Sequence, residues 1–66
     1  MGRRTIEKCY EKGYVTDDEM AIIVRLYKNG RIAIKDLVWA VWNSNLSVEA
    51  GDDLLDSLGV PEKIVG

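Results

Sequence analysis

Cys9-Tyr10-Glu11-Lys12-Gly13-Tyr14-Val15 and Leu26-Tyr27-Lys28-Asn29-Gly30-Arg31-Ile32 are two versions of one pattern, offset by 17 residues. Each reads as a helix end, a glycine turn and a hydrophobic residue that leads into a further helix. The correspondence runs on through Glu19-Met20-Ala21 against Asp36-Leu37-Val38, and through Val24 against Val41, so packing positions recur along with turn residues.

Working outward from the first copy, Ile6, Cys9 and Tyr10 share one face of a helix expected from near Thr5 to Lys12, with Gly13 just past its end. Thr16-Asp17-Asp18-Glu19 is a capping box: the Thr16 hydroxyl and the Glu19 carboxylate satisfy free backbone donors at a helix start. Val15 before the box is placed to staple onto Met20. The second helix carries Met20, Ile23, Val24 and Tyr27 on one stripe, widened by Ala21, Ile22 and Leu26 until Arg25 is the one charged residue between Met20 and Tyr27. A helix apolar nearly all round belongs at the centre of a domain, or keeps part of its surface for another chain.

Around the second copy the signals are weaker. Ile32 repeats the role of Val15, but Ala33 is a poor cap beside Thr16. A third helix is expected from about Ile34 to Asn43, with Ile34, Leu37, Val38 and Val41 inward and Trp39 and Trp42 as an aromatic ridge. Asn43-Ser44-Asn45 breaks it, since these side chains bond to their own backbone in turns. Ser47 caps a fourth helix through Leu54, Leu55 and Leu58 to Gly59; Gly51 weakens its start and moves the expected ordered part toward Asp52. Val60-Pro61-Glu62-Lys63-Ile64-Val65 is too short to assign.

The fold class read from these patterns is all-α, a compact single domain over residues 1–66 with three to four short helices joined by tight glycine turns. Its expected core is Ile23, Val24, Leu37, Val41 and Leu54. With 47% hydrophobic residues the composition is that of a folding chain, although 66 residues bury little surface and leave a thin margin that a partner would widen.

Composition also restricts function. There is no histidine, which removes the usual general base near neutral pH and the histidine-dependent metal and nucleophile arrangements. The single cysteine, Cys9, lies at core spacing and lacks the surroundings of an activated thiolate, so it reads as packing in a reducing compartment. No enzyme, cofactor or metal site is expected. The opening residues lack the apolar stretch of a secretory signal and no run is long enough to span a bilayer, so a cytoplasmic protein without a membrane partner is expected. Such a protein fits a small regulator from a prokaryote or mobile element.

Charge is divided unevenly. Residues 1–35 carry eight basic and five acidic groups, a balance of +3, and residues 36–66 carry one basic and six acidic, a balance of −5. That polarity suits head-to-tail alignment of two molecules. Asp52, Asp53 and Asp56 make the densest carboxylate group, an acidic helix surface that without a carbonyl-rich loop would hold a cation only weakly. Gly30, Ile32 and Asp36 match three positions of a calcium-binding EF-hand loop, but Arg25 and Tyr27 stand where its first ligands belong, and a guanidinium does not coordinate a cation.

From Asp18 to Leu37 the chain resembles helix-turn-helix and winged-helix DNA-binding regulators: an apolar helix, Asn-Gly-Arg-Ile, then a helix beginning near Lys-Asp-Leu. The resemblance covers about residues 17–59 and implies a recognition helix from Ser47 to Leu58, with Arg25, Lys28, Arg31 and Lys35 as phosphate contacts. Val38 and Trp42 depart from it, standing where such motifs place a small residue and a glycine. The implied recognition helix also carries Glu49, Asp52, Asp53 and Asp56 with no cation, whereas duplex binding depends on neutralising phosphates. The segment from Tyr10 to Met20 is similar to a glycine, hydrophobic, threonine, acid hairpin of short bacterial and phage helical modules, among them oligomerisation domains.

The preferred functional expectation is therefore a noncatalytic protein-interaction or regulatory module that self-associates as a homo-oligomer. Its candidate interface is Trp39, Trp42, Tyr27 and Tyr14 together with Asp52, Asp53 and Asp56, because tryptophan and tyrosine supply most of the energy at protein interfaces. The alternative is a helix-turn-helix regulator that contacts nucleic acid through Arg25, Lys28, Arg31 and Lys35.

Overall fold

Both glycine turns form where the repeated pattern puts them, and the computed structural model, which describes residues 3–60, places Gly13 at φ 85° and Gly30 at φ 71°. A side chain is strained in that left-handed conformation, so glycine ends each helix and turns the chain toward the next. The described residues form four helices and no strand: α1 (Arg3–Lys12), α2 (Asp17–Lys28), α3 (Ile34–Trp42) and α4 (Val48–Ser57). Residues 61–66, including the proline segment left unassigned above, lie outside the described residues.

The helix ends follow their local chemistry. Thr16 caps α2 in extended backbone; the Glu19 N–H donates to Thr16 Oγ1 at 3.2 Å and the Thr16 N–H donates to Glu19 Oε1 at 3.0 Å, closing the capping box. At the other end of α2 the Arg31 N–H donates to the Leu26 carbonyl and the Gly30 N–H to the Tyr27 carbonyl, which is a Schellman turn. The same pair of bonds closes α4, from Val60 to Leu55 and from Gly59 to Asp56, and Val60 and Leu55 are both buried. After α3 the Asn43 side chain donates to the Trp39 carbonyl and the Ser44 hydroxyl to the Val41 carbonyl, so polar side chains end this helix where no glycine is available.

The start of α3 is compensated rather than weak. Ala33 offers no capping oxygen, but the Ala33 N–H donates to Asp36 Oδ2 at 3.3 Å, and Tyr10 from α1 donates its hydroxyl to Asp36 Oδ1 at 2.6 Å. Asp36 is only 4% exposed, the sole buried charged-type side chain among the described residues. A buried carboxyl group is tolerated when hydrogen bonds replace its water, and here they come from two different parts of the chain.

Packing is centred on α2 and α3, which lie against each other; α1 touches both and α4 rests on α3. A second tie comes from the turn between α1 and α2, where the Val15 N–H donates to the Asn43 carbonyl at 2.9 Å and Val15 pairs with Ser44 in an isolated parallel bridge. The core comprises Ile6 and Cys9 of α1, Val15 and Ile32 of the turns, Met20 and Ile23 of α2, Leu37, Ala40 and Val41 of α3, then Leu55 and Val60. Ile23, Leu37 and Val41 are buried as expected, whereas Val24 and Leu54 are only partly covered.

Three expectations are corrected. The first helix begins at Arg3 rather than near Thr5. The fourth runs in full from Val48, straight through Gly51, and it is Leu55 rather than Leu54 that is fully buried. Gly51 explains both: it is buried against α3, and a Cβ built there would lie 2.9 Å from Val41 Cγ1 and 3.4 Å from the ring of Trp42. The glycine lets α4 approach α3 closely, and Leu55, one turn further on the same side, enters the core.

Gly51→Ala is therefore expected to destabilise the fold by about 1–3 kcal/mol in a urea titration, despite the better helix propensity of alanine, because β-branched Val41 has little freedom to move aside. A variant more stable than the parent would show that the helices are not in close contact at this point.

Candidate functional site

The two tryptophans are three residues apart on α3 but meet different neighbours. Trp39 turns toward α1 and stacks on Tyr10, with ring centroids 4.2 Å apart and planes inclined by 35°. It is half-buried, and Tyr10 covers it while reaching past to Asp36. Trp42 turns toward α4, where its ring borders Gly51, yet 38% of it remains exposed.

A second exposed apolar residue, which the sequence reading passed over, lies on α4 near Gly51. Val48, the first residue of α4, is 69% exposed, more than any other large hydrophobic side chain described, and lies one turn before Gly51 on the same side of the helix. Trp42 and Val48 are thus both neighbours of Gly51, one across the contact from α3 and one a turn back along α4. The signal is present in the sequence as a valine directly after the Ser47 cap, in register with Gly51, Leu55 and Leu58 but at the first position of the helix. Ile22 on the outer face of α2, 43% exposed, was likewise counted with the apolar body of that helix.

The remaining candidates are dispersed. Tyr27 is half-buried against the core. Tyr14 is exposed in the turn before α2, with the Lys12 ammonium 4.6 Å above its ring. Asp52, Asp53 and Asp56 are all exposed on α4. Arg25 and Lys28 occupy the end of α2, Arg31 the following turn and Lys35 the first turn of α3, all exposed. Trp42 thus borders α4, the helix that carries the three acids, whereas Trp39 stacks on Tyr10 of α1.

Electrostatics around the first turn are set by one ion pair. Lys12 Nζ lies 2.6 Å from Glu19 Oε1 and 2.7 Å from Oε2, and this bond, with that from the Thr16 amide, lowers the Glu19 pKa from 4.5 to about 2. The same bond raises the Lys12 pKa. Cys9 is fully buried, and burial together with the nearby Glu19 pushes its thiol pKa up, the reverse of what a nucleophilic thiolate requires. Among the described residues no three Cys, Asp or Glu side chains converge to hold a metal ion, and no helix is long and apolar enough to cross a membrane.

Comparison with protein-family models, with characterised proteins and with solved structures finds no match to this chain.

Because Glu19 has a lower pKa folded than unfolded, its contribution to stability is complete above about pH 4.5 and is lost as the pH falls from 4.5 toward 2. Thermal melts should show Glu19→Gln less stable than the parent near neutral pH, with the gap closing across that interval. A gap that stays constant down to the lowest pH would remove the ion pair as its cause.

Proposed function

We propose that this chain is a small noncatalytic interaction module that associates with copies of itself, using Trp42 and Val48 as the apolar contact and the acidic face of α4 to select the partner. The observation that carries the reading is a pair of exposures near one helix contact: 38% of Trp42, whose ring borders Gly51, and 69% of Val48, one turn before Gly51 on α4, face solvent. Exposed apolar groups that adjoin one another and are rimmed by charge are characteristic of interaction surfaces, and tryptophan is the residue most enriched among their energetic centres.

Support for a noncatalytic role comes from the residues present. The sequence has no histidine, and its one thiol is buried with its pKa raised. Against a DNA-binding role stands the charge of α4, the helix that would enter the groove: Glu49, Asp52, Asp53 and Asp56 are exposed along it, and phosphate would be repelled by them. A buried free thiol also suits a reducing compartment such as the cytoplasm.

Val48→Glu tests the reading with little risk to the fold, since the side chain is exposed and an acid is favourable at the first position of a helix. In sedimentation velocity the parent should grow in mass with concentration, whereas Val48→Glu should remain monomeric with an unchanged helical circular dichroism spectrum. A parent that is monomeric throughout and binds mixed-sequence duplex DNA in a salt-dependent manner would replace this function with the helix-turn-helix one.

A further inference from the structure

The exposed faces of α2 and α4 carry matching patterns of opposite sign. On α2, Ile22, Arg25 and Lys28 follow one another at intervals of three residues; on α4, Val48, Asp52 and Asp56 follow at intervals of four, and all six are exposed. Each row begins with an aliphatic side chain at its N-terminal end and continues into two charges. The rows span about 9 Å and about 12 Å along their helices at 1.5 Å per residue.

None of these four charges is paired with another described residue. Lys12 pairs with Glu19, but neither Arg25 nor Lys28, Asp52 nor Asp56 has a partner among the described residues. In the chain's own fold α4 rests on α3. The rows therefore remain available to a second molecule.

Resting on the self-association proposed above, we infer that the partner surface for Trp42 and α4 is the outer face of α2 on another copy of the chain, joined head to tail. Helices whose contact rows are spaced by three on one side and four on the other pack at about 20° from parallel. In that alignment Val48 lies on Ile22, and Asp52 and Asp56 face Arg25 and Lys28. Trp42, which borders Gly51 one turn along α4 from Val48, extends the apolar end of the contact. Two different patches meet, so the interface is heterologous: each bound copy still presents a free α2 face at one end and a free α4 face at the other. Such a contact grows into a ring or an open chain instead of stopping at a two-fold dimer.

Charge reversal provides the test. Sedimentation velocity over a concentration series is run on the parent and on two double variants, Asp52→Lys with Asp56→Lys and Arg25→Glu with Lys28→Glu, with circular dichroism to confirm that each is folded. The parent should assemble beyond dimer, less so at about 500 mM than at about 20 mM salt, because exposed pairs are screened. Each double variant alone should lose association, since both of its faces then carry the same sign. An equimolar mixture should regain it, because each variant's altered face now complements the other's. Association of the parent that survives both reversals, or that stops at a dimer, would overturn this arrangement and leave self-association through Trp42 and Val48 standing. A parent that stays monomeric at every concentration would overturn both.

Discussion

Asp36 is the point at which separate parts of this chain are held together. Its two carboxyl oxygens accept from the Tyr10 hydroxyl of α1 and from the Ala33 amide at the start of α3, and the side chain is buried. Burying that group costs free energy unless the partners are present, so the helix start and the position of α1 are determined together. The Tyr10 ring that delivers the hydroxyl also stacks on Trp39. One polar contact thereby brings Tyr10 over Trp39, whereas Trp42, one turn further along α3 and bordering α4, stays partly open to solvent.

The second constraint is the absence of a side chain at Gly51. A four-helix arrangement this short depends on close contact between α3 and α4, and the missing Cβ allows it. The same approach aligns Trp42 with the N-terminal turn of α4, so the exposed apolar pair and the acidic row that follows it are consequences of how the core closes. Function in this reading resides in what the packing leaves over: a partly covered tryptophan, an aliphatic residue at a helix start, and charges that find no partner among the described residues.

Most of the architecture was legible in the sequence because its signals are local. Gly13, Gly30, the Thr16 and Glu19 box, the Asn43-Ser44 stop and the Ser47 cap each act within a few residues, and each operates as its chemistry implies. What escaped was nonlocal. Tyr10 and Asp36 are 26 residues apart, and nothing near either announces the other. Gly51 reads as a helix breaker when only propensity is weighed; its advantage appears when Val41 and Trp42 are seen opposite it. Trp39 and Trp42 look like one ridge by spacing, yet α1 and α4 divide them. The cationic row from Arg25 to Lys35 was visible, but its relation to α4 required knowing that both faces are outward.

The central claim is that Trp42, and not Trp39, lies in the contact between copies. The most direct measurement is a dilution series of two-dimensional proton–nitrogen NMR spectra, in which each tryptophan indole gives its own signal. The account predicts that the Trp42 indole shifts or broadens as concentration rises, together with the amides of Ile22 and Val48, while the Trp39 indole stays in place against Tyr10. Signals that are all unmoved by concentration, or a Trp39 indole that responds while Trp42 does not, would contradict it.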